Sequence, residues 1–588
     1  MSQKKLKKLR KVLQSKTVDN KEEQKIDSFS GFRQILKENW KFLLILIICI
    51  FGLYWNSLNG AFVSDDYATV TQDASILDLG KSFQTKSIPT IYKSLIAVNF
   101  GITNPFPFHL TSLIMYVLVC VAAFVFLTMI FDKKIARLTL ILFAVLPIHV
   151  EAVSWISGEP YLLMAFFILM SLIFFALFLN SKNKKYLLFL LLFLLLLLFT
   201  DKFRGFSVVL LGFLYLICFG KEKSKVKVNL GKIFLIALGI FGLVLIIGWP
   251  MINARISAVN GGYNGSGDSL FYNPIFQYPL SVAKYLQLML FPTDLTLYHT
   301  MYIIPTWLNW MIFLSYIGTT IYFFFKDKKI FFALGFIFLA AAASMSPVKV
   351  GWLVAERYLF LGSLGFCLFL VLFFLRLGKK WEILSLILMV LFVGLYGVRV
   401  YLRNDDWQTN HKLWVRTVQV SPNSHNAWNN IGDDYDKLAQ LETTDSGKMK
   451  QYENAVKGFT QSTVVKQNYA DAYHNRANIF YKMGRLDMAR DSYETALSYS
   501  NNNLFQSLIS LVQIDLTEKR VDLALGHVEK LQKTKPNDLQ VYYITAVVYA
   551  NAGMRDQAIQ ILDQILKAYP TFTEAKTLLS QLKIGATK

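Results

Sequence analysis

Charge is scarce in this chain: Asp, Glu, Lys and Arg make up 17% of its 588 residues, against 54% apolar and aromatic types. A soluble protein of that size cannot hide so much apolar surface, so a wholly soluble fold is excluded. Cysteine is scarcer still. All four, Cys49, Cys120, Cys218 and Cys367, sit in apolar runs, so no disulfide framework or cysteine-based metal site is indicated in the polar part. Familiar catalytic signatures are missing too: there is no Walker-type phosphate loop, no G-x-S-x-G elbow and no H-E-x-x-H. The first apolar run has a long basic lead, and no small-x-small cleavage site follows Asn59, which excludes a cleaved signal peptide.

What the chain has is a sharp division. Residues 42–402 alternate long apolar runs with short loops, whereas 403–588 read as ordinary polar sequence. A bilayer core about 30 Å thick takes roughly 20 helical residues. Suitable runs fall at 42–58, 109–131, 135–150, 160–179, 186–200, 203–219, 233–250, 307–325, 330–346, 355–376 and 381–400, about eleven spans in all. The segment 279–292 is shorter and contains Lys284, so it reads as interfacial or re-entrant. The net charge of +22 lies mostly in short loops and in residues 1–41, which carry twelve Lys or Arg. That placement fits cytoplasmic loops facing anionic lipid, and it excludes nucleic acid as the expected partner. Residues 1–41 are expected to be a solvated, partly disordered cytoplasmic tail. With the N-terminus inside, loops 59–108 and 251–306 and the domain 403–588 share the extracytoplasmic side of a membrane taken to be the plasma membrane.

From Ala427 the polar part repeats with a period near 34 residues, the length of a tetratricopeptide helix pair. AWNNIGDDY opens one unit; AYHNRANIFYKMGRLDMARDSYETAL and VYYITAVVYANAGMRDQAIQILDQIL are later ones. Gly484 and Gly553 are 69 residues apart, two periods. The intervening unit, Leu508 to Pro536, is degenerate, and TTDSGKMKQ reads as an insert between the first two units. Ala489, Ala558, Tyr493 and Leu562 are read as core, since each unit is stable only when stacked on its neighbours. The concave face is expected to hold an extended peptide or a partner helix. The fold class is therefore all-α: a polytopic membrane domain followed by a soluble α-solenoid.

Candidate chemistry concentrates in the loops on the domain's side. FVSDDYATV places Asp65 and Asp66 where the chain leaves the first span, an expensive position for two anions. They could supply a general base or hold a divalent cation, Mg or Mn, against a phosphate; as plain loop acids they would be solvated or cap a helix. In LPIHVEAVSWISGE, His149 and Glu151 are two apart and share a face if the segment is extended. They could complete a metal or phosphate site with the aspartates, or His149 could be a structural hydrogen-bonding residue. Lys202 and Arg204 in TDKFRG and Arg357 in AERYLFLGS are cations able to meet a lipid-linked phosphate, or to snorkel to headgroups. Arg357 could also pair internally with Glu356.

The ordered set FVSDDY, PFPFHLTSLIMYVL, LPIHVEAVSWISGEPYLLMAFFILMSL, AERYLFLGSLGFC and PNSHNAWNNIG resembles the transmembrane and tetratricopeptide-repeat O-mannosyltransferases and their prokaryotic relatives, of the GT-C class. The resemblance runs from about residue 42 to the C-terminus. It implies a membrane enzyme moving a sugar from a polyprenyl-phosphate donor to a protein or other hydroxyl, without a nucleotide sugar and with a divalent cation, Mg or Mn, left open. It maps the base to Asp65 or Asp66, a second acidic and histidine site to His149, Glu151 and Glu356, and the donor phosphate to Arg357 with Lys202 and Arg204. Relatives often carry Ser-Lys-Glu where this chain has Asp201, Lys202 and Phe203. Two readings from other classes stand beside this one. A surface-polysaccharide ligase or polymerase also joins many spans to helical repeats, and a non-catalytic scaffold would use the spans only to anchor the repeats.

Overall fold

The computed structural model describes residues 28–201, 204–223, 274–342, 352–500 and 504–584, with Gly239, Gly242, Trp249, Asn253 and Met345 singly. Lys202, most of the run 233–250 and residues 1–27 of the basic tail lie outside the described residues. Every regular element among the described residues is a helix. The chain divides into two compact units, the first ending at Leu413 and the second beginning at Trp414.

In the first unit, helix formation begins inside the stretch expected to be a solvated tail. The helix Phe29–Leu53 is capped by Ser28, whose Oγ accepts from the Gly31 N–H at 3.4 Å. Its first turns are held by side chains from a neighbouring helix: Arg137 donates to the buried Asn39 Oδ1, and Lys133 to Glu38. The polar residues that suggested a solvated tail thus bind the helix to the unit.

Among the described residues four helices are long and apolar enough to cross a membrane: Phe106–Ile130, Ile156–Ser181, Thr306–Lys326 and Glu382–Asp406. The first two are 78% buried within the unit and form its centre, whereas Thr306–Lys326 is only 6% buried. An apolar helix with every face exposed needs an apolar solvent, which lipid supplies. The expected run 135–150 is broken: Lys133–Ala144 and Pro147–Ser154 meet at 62°. Pro147 has no N–H for the helix ladder, and it holds Leu146 extended at ψ 122°. Counted as one bent span, that pair makes five. Other expected runs form shorter helices, including Lys184–Thr200, Lys328–Ala341 and Ser363–Arg376, so among the described residues the eleven crossings read from hydropathy are not reached by length and composition. The segment at 279–292 belongs to a helix, Pro274–Leu290, with Tyr285 and Met289 fully buried.

The helices Lys328–Ala341 and Ser363–Arg376 approach so closely that a Cβ on Gly365 would stand 2.6 Å from the Ala333 carbonyl oxygen and 2.9 Å from the Ile337 nitrogen. Both are backbone atoms and cannot turn aside. Gly365→Ala is expected to cost about 1–3 kcal/mol, read as a lower thermal midpoint in detergent. Gly318→Ala, with nothing within 4 Å of its added Cβ, should stay near wild type.

The second unit is a run of helix pairs: His425–Leu441 with Asp445–Val465, Ala470–Lys482 with Leu486–Tyr499, Phe505–Thr517 with Val521–Thr534, and Leu539–Asn551 with Arg555–Ala568, then Thr573–Ile584. The supposed insert TTDSGKMKQ is mostly helix. Thr444 caps it, accepting from Gly447 N–H at 3.1 Å, so the extra residues lengthen the second helix of the first pair. The degenerate middle pair keeps its core through Leu508, Leu511 and Val528. Its connecting turn places Lys519 at φ 57°, where the flanking pairs have Gly484 and Gly553 at φ 73° and 75°. The sequence looked degenerate there because a lysine occupies a left-handed position that glycine adopts without strain.

Candidate active site

The candidate site is organised by one short stretch, Trp155 to Tyr161, at the start of the second central helix. Trp155 is extended, Ile156–Gly158 makes a single 3-10 turn, and Glu159–Ser181 follows. Gly158 is required by close approach: a Cβ there would stand 2.6 Å from the Glu151 carbonyl oxygen. The folded-back turn lets alternate side chains of the stretch reach the first loop in one direction and two arginines in another.

Towards the first loop lies Asp66. The chain kinks at Ser64, φ 53°, and turns the fully buried Asp66 carboxylate inward. Its Oδ2 accepts from Val63 N–H at 3.0 Å; its Oδ1 accepts from Ser157 N–H at 2.8 Å and Ser157 Oγ at 2.5 Å. Asp65 beside it is not buried. It is exposed, and among the described residues no donor reaches its carboxylate. The acidic pair is thus divided into one acid bound into the structure and one presented to solvent.

Burial pushes the Asp66 carboxyl up to about 6, against the opposing effects of Ser157, Val63 and Lys93. Folding therefore favours the protonated form of a group whose ordinary value is 3.8. That contribution is complete below pH 4 and is lost as pH rises through about 6, roughly 3 kcal/mol in all. Asp66→Asn cannot ionise. Its stability relative to wild type should rise between pH 4 and 7, and a constant difference in thermal midpoint across that range would contradict the assignment.

Behind Asp66 a polar chain continues. Ser157 Oγ lies 3.0 Å from Thr69 Oγ1, and Lys93 Nζ donates to Thr69 Oγ1 at 3.1 Å. The same ammonium is 3.8 Å from Glu159, which is 1% exposed and has no hydrogen-bond partner on either carboxylate oxygen.

Towards the arginines, Arg357 forms a buried pair with Glu151. Its backbone N–H donates to Glu151 Oε2 at 2.8 Å and its guanidinium to Oε1. Arg357 Nε also donates to Tyr161 Oη at 3.3 Å. Its guanidinium lies 5.1 Å from the Tyr358 ring centre and 5.4 Å from that of Trp155. Arg204 meets two of the same side chains, at 4.9 Å from the Tyr161 ring and 5.1 Å from Tyr358, while pairing with Asp201 at 3.0 Å. Two cations therefore share two tyrosine rings, an arrangement that holds both guanidiniums in place.

The structure separates other residues that the sequence had grouped. His149 and Glu151 do not share a face, because the segment is helical rather than extended, and residues two apart on a helix point in nearly opposite directions. His149 is fully buried, with Nδ1 2.9 Å from Tyr116 Oη and Nε2 2.8 Å from Ser363 Oγ. Its ring packs on Phe143 and Phe360 at 4.4 and 4.7 Å. That is the structural hydrogen-bonding role. Glu356 does not pair with Arg357: it accepts from Thr296 N–H at 2.6 Å and Arg403 at 3.2 Å, with His299 at 3.4 Å. Burial holds the His299 imidazole below its ordinary value.

A divalent cation does not fit this donor set. Asp66 is committed to three donors and both ring nitrogens of His149 are engaged. Among the described residues no group of three or more His, Cys, Asp or Glu stands together as a metal site. Sequence reasoning missed Lys93, Tyr161, His299 and Arg403 as partners. Ser157 and Glu159 were inside a quoted motif, but nothing in their spacing pointed to Asp66 or Lys93, which lie far off in the chain.

Tetratricopeptide repeat models match residues 470–503 and 515–582. The chain is 24% identical over 94% of its length to human "Protein O-mannosyl-transferase TMTC3", covering 63% of that protein, and 23% identical to the mouse protein of the same name, again over 94% of this chain and 62% of that one. Human "Protein O-mannosyl-transferase TMTC4" is 24% identical over 66% of this chain and 62% of its own length. The chain thus spans somewhat under two thirds of these curated relatives. The two TMTC3 matches cover 94% of this chain and so extend into both units, and the chain is similar to the TMTC-type protein O-mannosyl-transferases, with tetratricopeptide repeats in its second unit.

Proposed function

We propose that this chain is a membrane glycosyltransferase that moves a sugar, in the first instance mannose, from a polyprenyl-phosphate donor to a protein Ser or Thr hydroxyl. The observation that carries the reading is the two-sided stretch Trp155–Tyr161, which bears the acidic loop through Ser157 and the arginine pair through Tyr161. The names of the relatives support protein as the acceptor.

In this reading Asp65 takes the proton from the acceptor hydroxyl as that oxygen bonds to the anomeric carbon. The bond from that carbon to the phosphate oxygen breaks, and the lipid phosphate leaves with the electron pair. Arg204, with Arg357 behind it, steadies the negative charge that develops on the phosphate. Asp66 is a positioning residue that fixes the loop carrying Asp65. The proposal includes a crossing at each of the eleven apolar runs, with the acidic loop and repeats extracytoplasmic and the N-terminus cytoplasmic. It is supported by the Lys-rich loops falling on alternate sides and by a helix at every run but 233–250, most of which lies outside the described residues.

The phosphate site is tested with Arg204→Gln. Free polyprenyl phosphate should inhibit transfer by wild type, and in the variant donor KM should rise and inhibitor affinity fall by at least tenfold each, consistent with a charged hydrogen bond of about 1.5–3 kcal/mol. Unchanged inhibition would remove Arg204 from the donor site.

A further inference from the structure

Three first helices of successive repeats, His425–Leu441, Ala470–Lys482 and Phe505–Thr517, line a cavity of about 250 Å³. Its wall includes Asp433, Asp436, Asn475, Asn478, Lys482 and Gln513. The residues come at helical spacing, Asp433 and Asp436 on one helix and Asn475, Asn478 and Lys482 on the next, so each helix turns one polar face to the cavity.

Most of that wall is already tied down. Lys482 Nζ bonds both Asp436 oxygens, at 2.7 and 2.6 Å. Asn475 Nδ2 donates to Asn429 Oδ1 at 3.1 Å, and Tyr493 Oη donates to Asn478 Oδ1 at 2.5 Å. Asp433 is held less firmly: among the described residues its carboxylate receives one long bond, from Asn429 Nδ2 at 3.4 Å. The charged groups acting on it are Lys437, Asp436, Lys482 and Asp434, and burial pushes its carboxyl up to about 7. With Lys482 neutralised by Asp436, the cavity holds one under-partnered acid on a rigid polar frame. Phe459 and Ile479 add apolar lining for an aliphatic stem, and Tyr481, 39% exposed, adds an aromatic ring.

We propose that this cavity takes the Lys or Arg side chain of an extended polypeptide, with Asp433 as its counter-ion and the Gln513 amide available to the peptide backbone. The proposal deepens the reading that the repeats present the acceptor, since it assigns that acceptor a basic residue.

The test uses the full chain in lipid nanodiscs with no sugar donor present, so its result is independent of transfer. The probes are fluorescein-labelled nonapeptides of Gly and Ser with Arg, citrulline or Glu at the centre, read by anisotropy. The Arg peptide should bind at least tenfold more tightly than the citrulline peptide, and Asp433→Asn should abolish that preference while Asp556→Asn, at an exposed position outside the cavity, preserves it. Equal binding of the Arg and citrulline peptides to wild type, preference for the Glu peptide, binding of none, or a preference that survives Asp433→Asn would each overturn it. The wild-type comparison stands even if the variant folds poorly. Transfer without the Arg preference would sink the cavity assignment and leave the glycosyltransferase reading, whereas the preference without transfer would do the reverse.

Discussion

Arg357→Met is expected to lower the stability of the first unit by about 3–5 kcal/mol, because it strands a buried carboxylate. Glu151 is fully buried, and Arg357 supplies both its guanidinium partner and a backbone donor. The substitution removes the charge and leaves Glu151 with the Arg357 backbone N–H alone. Glu151→Gln should cost less than Arg357→Met, since a glutamine keeps an acceptor for that N–H and strands the arginine beside two tyrosines and a tryptophan. The double variant Glu151→Gln/Arg357→Met should recover part of the loss, because no unpaired charge remains. Thermal unfolding of the four proteins in nanodiscs checks this. If Arg357→Met lies within about 0.5 kcal/mol of wild type, the pair is not the buried anchor described above.

Asp65→Asn should lower the transfer rate by about 10²–10⁴-fold while leaving the thermal midpoint and donor KM unchanged. The reason is its setting. Asp65 is exposed and receives no bond from described residues, so removing its charge disturbs no packing. Asp66 is the opposite case, and Asp66→Asn replaces an acceptor of three bonds with a group that must present a donor to some of the same N–H and O–H groups. Its rate loss should come with the altered pH dependence of stability described above. A variant of Asp65 that turns over at the wild-type rate would transfer the base role elsewhere, with the buried Asp66 first to be reconsidered.

Much of this arrangement was legible in the sequence, and what was not has physical causes. Alternation of apolar runs with basic loops marked the helices of the first unit, and the 34-residue period marked the helix pairs. Hydropathy alone could not see that Pro147 would break one run, or that Asn39 and Glu38 would bind the start of the first helix to Arg137 and Lys133. For the site, the acidic pair and the arginines stood out because charge at a membrane boundary is costly. Their partners did not. Glu151 and Arg357 are 206 positions apart and Asp66 and Ser157 are 91 apart, so only the folded chain shows that each answers the other. The shared face expected of His149 and Glu151 fails for a local reason: two residues apart on a strand share a face, and on a helix they do not, so His149 keeps the structural hydrogen-bonding role also read for it.

The most direct measurement is transfer by the purified chain in liposomes, supplied either with labelled polyprenyl-phosphate mannose or with the matching nucleotide sugar, and with Ser- and Thr-containing peptides as acceptors. Label should pass to peptide from the lipid donor alone, and only when the intact chain is present. Transfer from the nucleotide sugar with none from the lipid donor, or no transfer from any polyprenyl-phosphate sugar in the presence of a peptide that binds, would contradict the proposed reaction.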